Sequence, residues 1–352
     1  MTTSELIDWI ERSIEQNRSF ALYRLPGEEV LYRITPQDGR VEVSSAFKSL
    51  NGKAGFVIAP FQITARTPLV LIQGREEEIS WQGYADAKAV SVEKHPVDEA
   101  YRNTYQAFIS ELRSGELEKV VLSRRIENKR SAGFSPAMSF LRACERYIRS
   151  YVYICHTPQT GTWLGSTPEI ILSGAGTNWH TVALAGTQPL TNGKLPEVWD
   201  DKNKEEQRLV AQYIIEQLET FSVNTSERGP YTVRAAELAH LKSDFSFTLP
   251  HCDCLGELLE LLHPTPAVCG FPKEKAYRFI LENEGYTRSY YSGFVGMLNA
   301  ERRSNLYVNL RCMQIMNDKL YLYAGGGLLS SSEMEEEWQE IEDKLYTMRA
   351  II

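Results

Sequence analysis

The chain of 352 residues carries a formal net charge of −8, and 43% of its residues are hydrophobic while 24% are charged. This acidic balance includes no basic stripe, which argues against a nucleic-acid or anionic-membrane binder, and no run approaches the roughly 18 apolar residues of a membrane-spanning helix. Six cysteines scattered over a chain of this length favour reduced thiols over a disulfide framework, so we expect a cytoplasmic protein.

The N-terminal part predicts a helix followed by short strands. Residues 1–16 have the pattern of an acidic amphipathic helix and not that of a signal peptide. Turn-forming clusters at 26–29, 36–39 and 51–55 then separate short strand-like runs.

A second helix is predicted over residues 98–115, with Gly115 as its C-cap. The next helix is predicted to begin near Lys204. We interpret the Gly/Pro-punctuated segment 189–200 as an ordinary connection, with a mobile lid as the alternative. Between the two helices the sequence has five strand-like runs, at 119–125, 151–157, 162–165, 169–174 and 179–186.

The C-terminal third adds strand-like runs at 293–298 and 305–315. A third run, 319–326, follows a two-residue Asn317–Asp318 turn, which is typical of a hairpin. Because hairpins dominate and a regular βαβ alternation is absent, the pattern predicts an α+β protein in which helices cover large antiparallel sheets.

Carboxylates border the apolar face of the last predicted helix. Glu337 and Lys344 lie directly beside this face and Glu340 lies one step further round, which fits a boundary salt bridge between Glu340 and Lys344. Ser332 and Glu335 have the spacing of a capping box. The apolar face comprises Trp338, Ile341, Leu345 and Met348, and the opposite face, expected to be solvated, comprises Glu335, Glu336, Gln339, Glu342 and Asp343.

The helix predicted over residues 205–218 has a carboxylate within its apolar face. Glu206 projects into the middle of the face formed by Leu209, Val210, Tyr213 and Ile214. A buried carboxylate is costly unless it is paired or bound to a metal. A first-turn position near the helix dipole explains Glu206 equally well. If both helices present carboxylates to one site, these oxygen ligands would suit Mg²⁺.

Nine segments in order resemble one family, the chorismate-utilising enzymes, which comprise isochorismate, salicylate, anthranilate and aminodeoxychorismate synthases. The resemblance spans residues 119–345. The segments are KVVLSR at 119, GSTPEIIL at 165, ALAGT at 183, KNKEEQRLV at 202, LHPTPAVCGFP at 262, YSGFVG at 291, NLRC at 309, AGGG at 324 and the acidic helix at 332.

The resemblance implies a single domain over 1–352, with large antiparallel sheets packed face to face and helices outside. In this family 1–95 corresponds to the variable part and 96–352 to the part that carries the motifs. It further implies chorismate as the substrate, Mg²⁺ as the cofactor and no glutaminase subunit, and we expect a monomer.

The resemblance also implies a role for each matching residue. Glu206 and Glu340 would bind Mg²⁺, with Glu337 reaching it directly or through water, and the metal would hold the ring carboxylate of chorismate. The residues implied to bind the pyruvyl carboxylate are Arg311 and Tyr291 with the backbone N–H groups of Gly325 and Gly326, and those implied to line the pocket are Lys344, His263, Gly186, Thr187 and Ala267. Two positions depart from the family pattern, since Gln207 replaces a histidine and Met334 replaces a proline.

Two positions favour water as the nucleophile. Lys119 stands where the ammonia-using anthranilate enzymes typically carry glutamine, and a lysine can act as a base toward water if its pKa falls. Ala185 stands where aminodeoxychorismate synthases typically carry a nucleophilic lysine, and alanine cannot form that covalent intermediate. The sequence therefore predicts water attack at C2 of chorismate with Lys119 as the base, and Glu169 as the acid that protonates the departing C4 hydroxyl.

Three alternatives remain open at this point. A salicylate synthase would use the same residues and then eliminate pyruvate from isochorismate. Anthranilate synthase component I is disfavoured by Lys119. A non-catalytic relative would bind chorismate without turnover. Whether the product serves menaquinone or siderophore biosynthesis cannot be read from the residues.

Overall fold

A computed structural model describes residues 1–81, 83, 95–190, 193–221, 224–235, 238–251 and 253–352. Residues 191 and 192 of the predicted connection 189–200 lie outside this described part. The helices are α1 (Thr3–Glu15), α2 (Glu99–Ser114), α3 (Pro136–Arg146), α4 (Asp201–Glu219), α5 (Leu255–Leu262), α6 (Lys273–Asn283) and α7 (Met334–Arg349). Among the described residues, no helix is both long enough and apolar enough to span a bilayer.

Two antiparallel sheets, each with nine strands in the described residues, form the frame. Sheet one has the order β14-β7-β18-β17-β9-β8-β1-β2-β6 and sheet two has the order β12-β13-β11-β10-β16-β15-β4-β5-β3. The strands of sheet one are β1 (Phe20–Arg24), β2 (Leu31–Pro36), β6 (Gly74–Ile79), β7 (Lys119–Lys129), β8 (Tyr151–Thr157), β9 (Gly161–Thr167), β14 (Gly270–Phe271), β17 (Cys312–Ile315) and β18 (Lys319–Leu328). The strands of sheet two are β3 (Glu42–Ser44), β4 (Ala54–Ala59), β5 (Leu69–Ile72), β10 (Ile170–Ala175), β11 (Asn178–Pro189), β12 (Thr225–Ala235), β13 (Leu238–Thr248), β15 (Phe294–Asn299) and β16 (Ser304–Val308).

The sheets pack face to face through a layer rich in aromatic side chains. Tyr151 of sheet one and Tyr307 of sheet two stack with ring centroids 4.3 Å apart. Helices α1, α2, α3, α6 and α7 cover the outer face of sheet one, while α4 and α5 cover that of sheet two. The predicted α+β class with helices outside antiparallel sheets is confirmed. Large aromatic members of the central layer are Tyr23, Phe56, Tyr153, Trp163, Tyr290, Tyr291 and Tyr323.

The N-terminal strands complete both sheets. Strands β1, β2 and β6 form one end of sheet one, and β4, β5 and β3 form one end of sheet two. Their residues contribute to the central layer through Ala21, Ile34 and Val70. The part without family motifs therefore shares its core with the part that carries them.

The predicted strand 305–315 is wrong as a single element. It divides into β16 in sheet two and β17 in sheet one, and the chain crosses between the sheets at 309–311. Arg311 has a φ of 43° at this crossing, a left-handed conformation that is uncommon for a side-chain-bearing residue. Strand-like residues on both sides, with no glycine or proline at 309–311, concealed the break.

The boundaries of two helices also differ from the prediction. Helix α4 begins at Asp201 instead of Lys204, because the Asp200 side chain accepts a hydrogen bond from the Asn203 N–H at 2.8 Å and caps it. The predicted capping box of α7 is wrong, since the N-cap is Glu333. The hydroxyl of Ser332 instead accepts from the Leu329 N–H at 3.0 Å.

Glu342 was predicted on the solvated face of α7, and this is wrong. Its side chain is buried between Arg124 and Arg349, whose guanidinium groups donate to its two oxygens. The sequence pattern also missed α3 and the hairpin of β12 and β13. Strand β12 is an exposed edge interrupted by Gly229–Pro230, so it lacks the alternating apolar pattern of a half-buried strand.

Candidate active site

A small cavity lies where the ends of both sheets meet α4 and α7, with a volume of about 60 Å³. It can hold water, but typical ligand pockets enclose about 300 Å³ or more, so this conformation is closed around the site. The predicted site residues on its wall are Glu169, Gly186, Thr187, Glu206, Ala267, Tyr291, Arg311, Gly325 and Lys344.

Helix α4 is fastened to a bulge in β11 by three side chains. Asn203 accepts a hydrogen bond from the Thr187 N–H at 2.8 Å, and Glu206 Oε2 accepts from the Gly186 N–H at 3.2 Å. Gln207 Oε1 accepts from the Ala185 N–H at 3.0 Å. The register shift in β11 lies at Gly186, whose φ is 72°, a conformation that favours glycine. The bulge thus holds Glu206 through Oε2, while Oε1 makes its contacts away from the bulge.

Three carboxylates from α4 and α7 approach one glycine stretch of β18. A Cβ atom at Gly327 would lie 2.2 Å from Glu206 Oε1, so a side chain there would displace the Glu206 carboxylate. A Cβ atom at Gly326 would lie 3.3 Å from Glu337 Oε2 and 3.4 Å from Glu340 Oε1. The two predicted helices therefore bring their acids together, and the glycines provide the space for them.

Each of these carboxylates is paired with a lysine. Lys119 Nζ lies 2.9 Å from Glu206 Oε1, and both side chains are largely buried. Lys344 donates to Glu340 Oε1 at 2.7 Å and to the carbonyl of Gly325 at 3.0 Å. The remaining pair joins Glu337 Oε1 to a lysine that was not predicted.

That lysine is Lys202, in the first turn of α4, which donates to Glu337. Glu337 is 1% exposed, and its second oxygen, Oε2, has no hydrogen-bond partner among the described residues. Burial, with Glu340 nearby, raises the pKa of Glu337 to about 7. A buried carboxylate with an unused oxygen has an unfilled binding capacity.

This donor set fits Mg²⁺ in its chemistry, because Mg²⁺ takes carboxylate oxygens and completes its shell with water and substrate. In the described residues, however, no three acidic, histidine or cysteine side chains are arranged closely enough to share an ion. The lysines supply the positive charge in the present arrangement. The carboxylates would have to exchange these partners to coordinate a metal together.

The opposite end of the cavity is cationic and centres on Arg311. Its guanidinium is buried, and burial lowers the pKa of Arg311 to about 10, which still leaves it charged at neutral pH. Arg311 Nη2 lies 2.9 Å from His240 Nε2, and His240 Nδ1 lies 3.0 Å from the carbonyl oxygen of Gly186. Because a carbonyl only accepts, Nδ1 carries the proton, and Nε2 accepts from Arg311.

Burial, together with the charges of Arg311 and Lys344, holds the pKa of His240 well below its ordinary value, consistent with a neutral ring. One residue, Gly186, therefore links the two ends of the cavity. The N–H of Gly186 donates to Glu206, and its carbonyl accepts from His240, which orients Arg311.

Glu169 and Lys119 are buried in the same region. Burial raises the pKa of Glu169 to about 8, although Lys119, Lys344 and Arg311 act in the opposite direction. Glu169 therefore retains its proton at neutral pH and can donate it. Lys119 Nζ makes no well-oriented hydrogen bond within the described residues, so part of its hydrogen-bonding capacity is unused. As an ammonium paired with Glu206 it is a donor, and it must lose a proton before it can act as a base.

The predicted residue His263 does not line the cavity, which corrects that expectation. Its ring lies between Phe47 and Phe294, and Nε2 is 3.0 Å from the carbonyl oxygen of Pro60. Burial lowers the pKa of His263 to about 3, so it is a neutral core histidine.

Four other predicted residues lie beside the inner cavity and not on its wall, namely Lys119, Gly326, Glu337 and Glu340. Glu340 lines an outer cavity of about 920 Å³ that shares Thr187 with the inner one. Sequence reasoning missed His240, Asn203 and Lys202. Asn203 and Lys202 lie within the recognised segment at 202, which could have drawn attention to them, whereas His240 lies on a strand that was not predicted.

The chain matches the protein family described as "Chorismate binding enzyme" over residues 70–352. It is 31% identical over 251 residues to isochorismate synthase MenF from Escherichia coli, a match that covers 68% of this chain but 56% of that protein. It is 27% identical over 313 residues to isochorismate synthase DhbC from Bacillus subtilis, covering 84% of this chain and 77% of that protein.

A solved structure of menaquinone-specific isochorismate synthase MenF from Escherichia coli has the same fold. It aligns with a TM-score of 0.79 at 21% identity and covers 96% of this chain and 89% of that one.

Proposed function

Because the chain belongs to the family of chorismate-binding enzymes, we propose that it is a Mg²⁺-dependent isochorismate synthase that converts chorismate to isochorismate. The observation that carries this proposal is a buried acid and a buried lysine at one closed cavity. Glu169, with a pKa of about 8, lines the cavity, and the buried Lys119 lies 2.9 Å from Oε1 of Glu206, which lines it as well. The names of its sequence relatives support the same reaction.

The two ends of the cavity match a substrate with two carboxylates. Glu206, Glu337 and Glu340 would hold Mg²⁺, which when bound would neutralise the ring carboxylate and polarise it. Arg311, oriented by His240, would receive the pyruvyl carboxylate, with the Tyr291 hydroxyl beside it. Fixing both carboxylates sets the position of the ring between them.

Lys119 and Glu169 would then move the protons. Lys119, in its neutral form, takes a proton from water while the water oxygen bonds to C2 of the ring. The ring double bonds shift, and the bond from C4 to its hydroxyl oxygen breaks. Glu169 gives its proton to that oxygen, which leaves as water, so the reaction is balanced as an isomerisation.

Ala185 supports water as the nucleophile. It lies on β11 next to the Gly186 bulge and lines the cavity. A lysine there could attack C2 itself, whereas the methyl group of alanine has no nucleophile.

The test is incubation of the full chain with chorismate in Mg²⁺ buffer, with and without EDTA, followed by chromatographic identification of the product. Isochorismate that forms with Mg²⁺ and not with EDTA supports the proposal. Salicylate would instead identify a synthase that eliminates pyruvate, and tight chorismate binding without product would identify a non-catalytic relative.

Variants on one helix test the metal ligands. Glu340→Gln removes a proposed ligand, while Glu335→Gln on the same helix removes an exposed carboxylate. We expect Glu340→Gln to raise the Mg²⁺ concentration needed for half-maximal rate by at least about tenfold and Glu335→Gln to leave it within about twofold. Equal behaviour of the two variants would contradict the assignment.

A further inference from the structure

The three carboxylates of the proposed metal site and their three lysines balance in charge when all six groups are ionised. Lys119, Lys202 and Lys344 each pair with one of Glu206, Glu337 and Glu340. Adding a divalent cation to this buried set would leave two uncompensated positive charges. Since uncompensated buried charge is strongly unfavourable, a metal that binds before the substrate is favoured if one lysine withdraws or loses its proton.

The three lysines differ in their freedom to withdraw. The side chain of Lys119 is 0% exposed. Lys344 is 16% exposed and is also held by the carbonyl of Gly325. Lys202 is 23% exposed and lines the outer cavity of about 920 Å³. Lys202 therefore has the most direct route to solvent.

The partner of Lys202 is also the carboxylate with an unused oxygen. Glu337 Oε2 is buried without a hydrogen-bond partner among the described residues and lies at the glycine stretch of β18, where Glu340 also points. A cation that reaches this oxygen competes with the ammonium of Lys202 for the same carboxylate.

We propose that the ammonium group of Lys202 is the counter-ion of Glu337 when no metal is bound. A metal that binds Glu337 takes its place and displaces Lys202 into the outer cavity. This inference rests on the proposed metal site. Lys202 neutralises Glu337 in the absence of metal, and the free energy of this ion pair lowers the metal affinity.

The experiment is a titration of the metal-free full chain with Mn²⁺, followed by electron paramagnetic resonance, for wild type, Lys202→Met and Lys204→Met. Lys204 is the matched control, because it lies on the same helix and carries the same charge, but its side chain is 57% exposed and pairs with an exposed Asp201. We expect Lys202→Met to bind Mn²⁺ on the order of tenfold more tightly, because one competing charge is removed from a partly buried site. The Lys204→Met affinity should stay within about twofold of wild type.

Thermal unfolding provides a second readout. In chelator, Lys202→Met should unfold roughly 3 °C or more below wild type, because Glu337 has lost its counter-ion, and metal should restore more stability to the variant than to wild type. If Lys202→Met is poorly folded, Lys202→Gln takes its place in the titration. Glutamine keeps a hydrogen-bond donor without the charge, so the same gain in Mn²⁺ affinity is expected.

Mn²⁺ affinity that is unchanged or weakened in both Lys202 variants overturns the inference. A failure of the proposed function is recognised separately, because it appears as absence of chorismate turnover in wild type even when Mn²⁺ binding responds to Lys202.

Discussion

Two buried ionic clusters flank strand β7 and differ in how completely they are bonded. Near its middle, Arg288 and Glu284 form a pair whose side chains are each 1% exposed. Two nitrogens of Arg288 donate to the two oxygens of Glu284 at 2.6 Å, and the guanidinium also donates to the carbonyls of Val268 and Val121. The N–H and hydroxyl of Ser123 donate to Glu284 as well.

The cluster at the start of β7 is incompletely bonded. Lys119 Nζ and Glu337 Oε2 are buried atoms without a well-formed hydrogen bond in the described residues. Buried polar groups in folded proteins are nearly always satisfied. The fully hydrogen-bonded pair of Arg288 and Glu284 therefore indicates a structural role. Buried groups with unused hydrogen-bonding capacity beside a cavity indicate a site that binds a ligand.

A substitution in the fully bonded cluster should have the largest effect, which is a loss of stability. Arg288→Met leaves Glu284 buried without its partner, and we expect the free energy of unfolding to fall by about 3–5 kcal/mol. Chemical denaturation measures this change. Arg208→Met, which removes an exposed pair with Glu205, should change it by less than about 0.5 kcal/mol. A similar loss in both variants would contradict the structural role of the buried pair.

Substitutions in the incompletely bonded site should instead lower the rate of turnover. Glu169→Gln removes the proposed proton donor, so the rate of isochorismate formation should fall about a hundredfold or more. In the wild type the rate should also decline as pH rises through about 8, where Glu169 loses its proton. A variant that retains wild-type rate would refute the assigned role.

The same substitution should alter the pH dependence of stability in a defined direction. The pKa of Glu169 is raised from 4.5 to about 8 by burial, so the folded state keeps a proton that the unfolded state releases in this window. Its contribution to stability is therefore present at low pH and is lost as pH rises from 4.5 to 8. Glu169→Gln should show a flatter profile of unfolding free energy over that range, measured by denaturation at several pH values.

A smaller effect is expected from the link between the two ends of the cavity. His240→Leu removes the acceptor that orients Arg311, and we expect the KM for chorismate to rise roughly tenfold with a smaller change in kcat. His180→Leu is the control, since His180 faces Asp244 on sheet two instead of the cavity. Steady-state kinetics measure both constants. An unchanged KM in His240→Leu would show that His240 does not contribute to substrate binding.

The smallest effect is expected when one hydrogen-bond donor is removed from the fully bonded cluster. Ser123→Ala deletes the hydroxyl that donates to Glu284 at 2.7 Å but keeps the backbone donor. We expect a loss of about 1 kcal/mol in the free energy of unfolding and no change in turnover. A large loss of turnover would show that the two clusters are not independent.

Features that depend on local pattern could be predicted from the sequence. The apolar face of α4 predicted the inward orientation of Glu206, and the strand-like runs predicted the antiparallel sheets. Glu337, predicted at the border of the apolar face of α7, is instead fully buried. Arg311 was identified by resemblance, although its strand was predicted as continuous, because the sequence between β16 and β17 has no turn signal.

Features that depend on contacts between distant segments could not be predicted. His240 and Lys202 acquire their roles from Arg311 and Glu337, which lie far away in the chain. His263 lies within the family segment at 262, but its environment is set by Phe47 and Phe294. Nothing in its immediate neighbours distinguishes a core histidine from a cavity histidine.

The crossing at 309–311 ties ligand recognition to the alignment of the two sheets. The carbonyl of Asn309 accepts from the Ser292 N–H beside sheet two, while that of Arg311 accepts from the Ser166 N–H of β9 in sheet one. A small slide of one sheet over the other would therefore shift the guanidinium relative to the acids of α4, which is packed on sheet two. Substitutions in the aromatic layer between the sheets, even far from the cavity, should weaken substrate affinity before they unfold the protein.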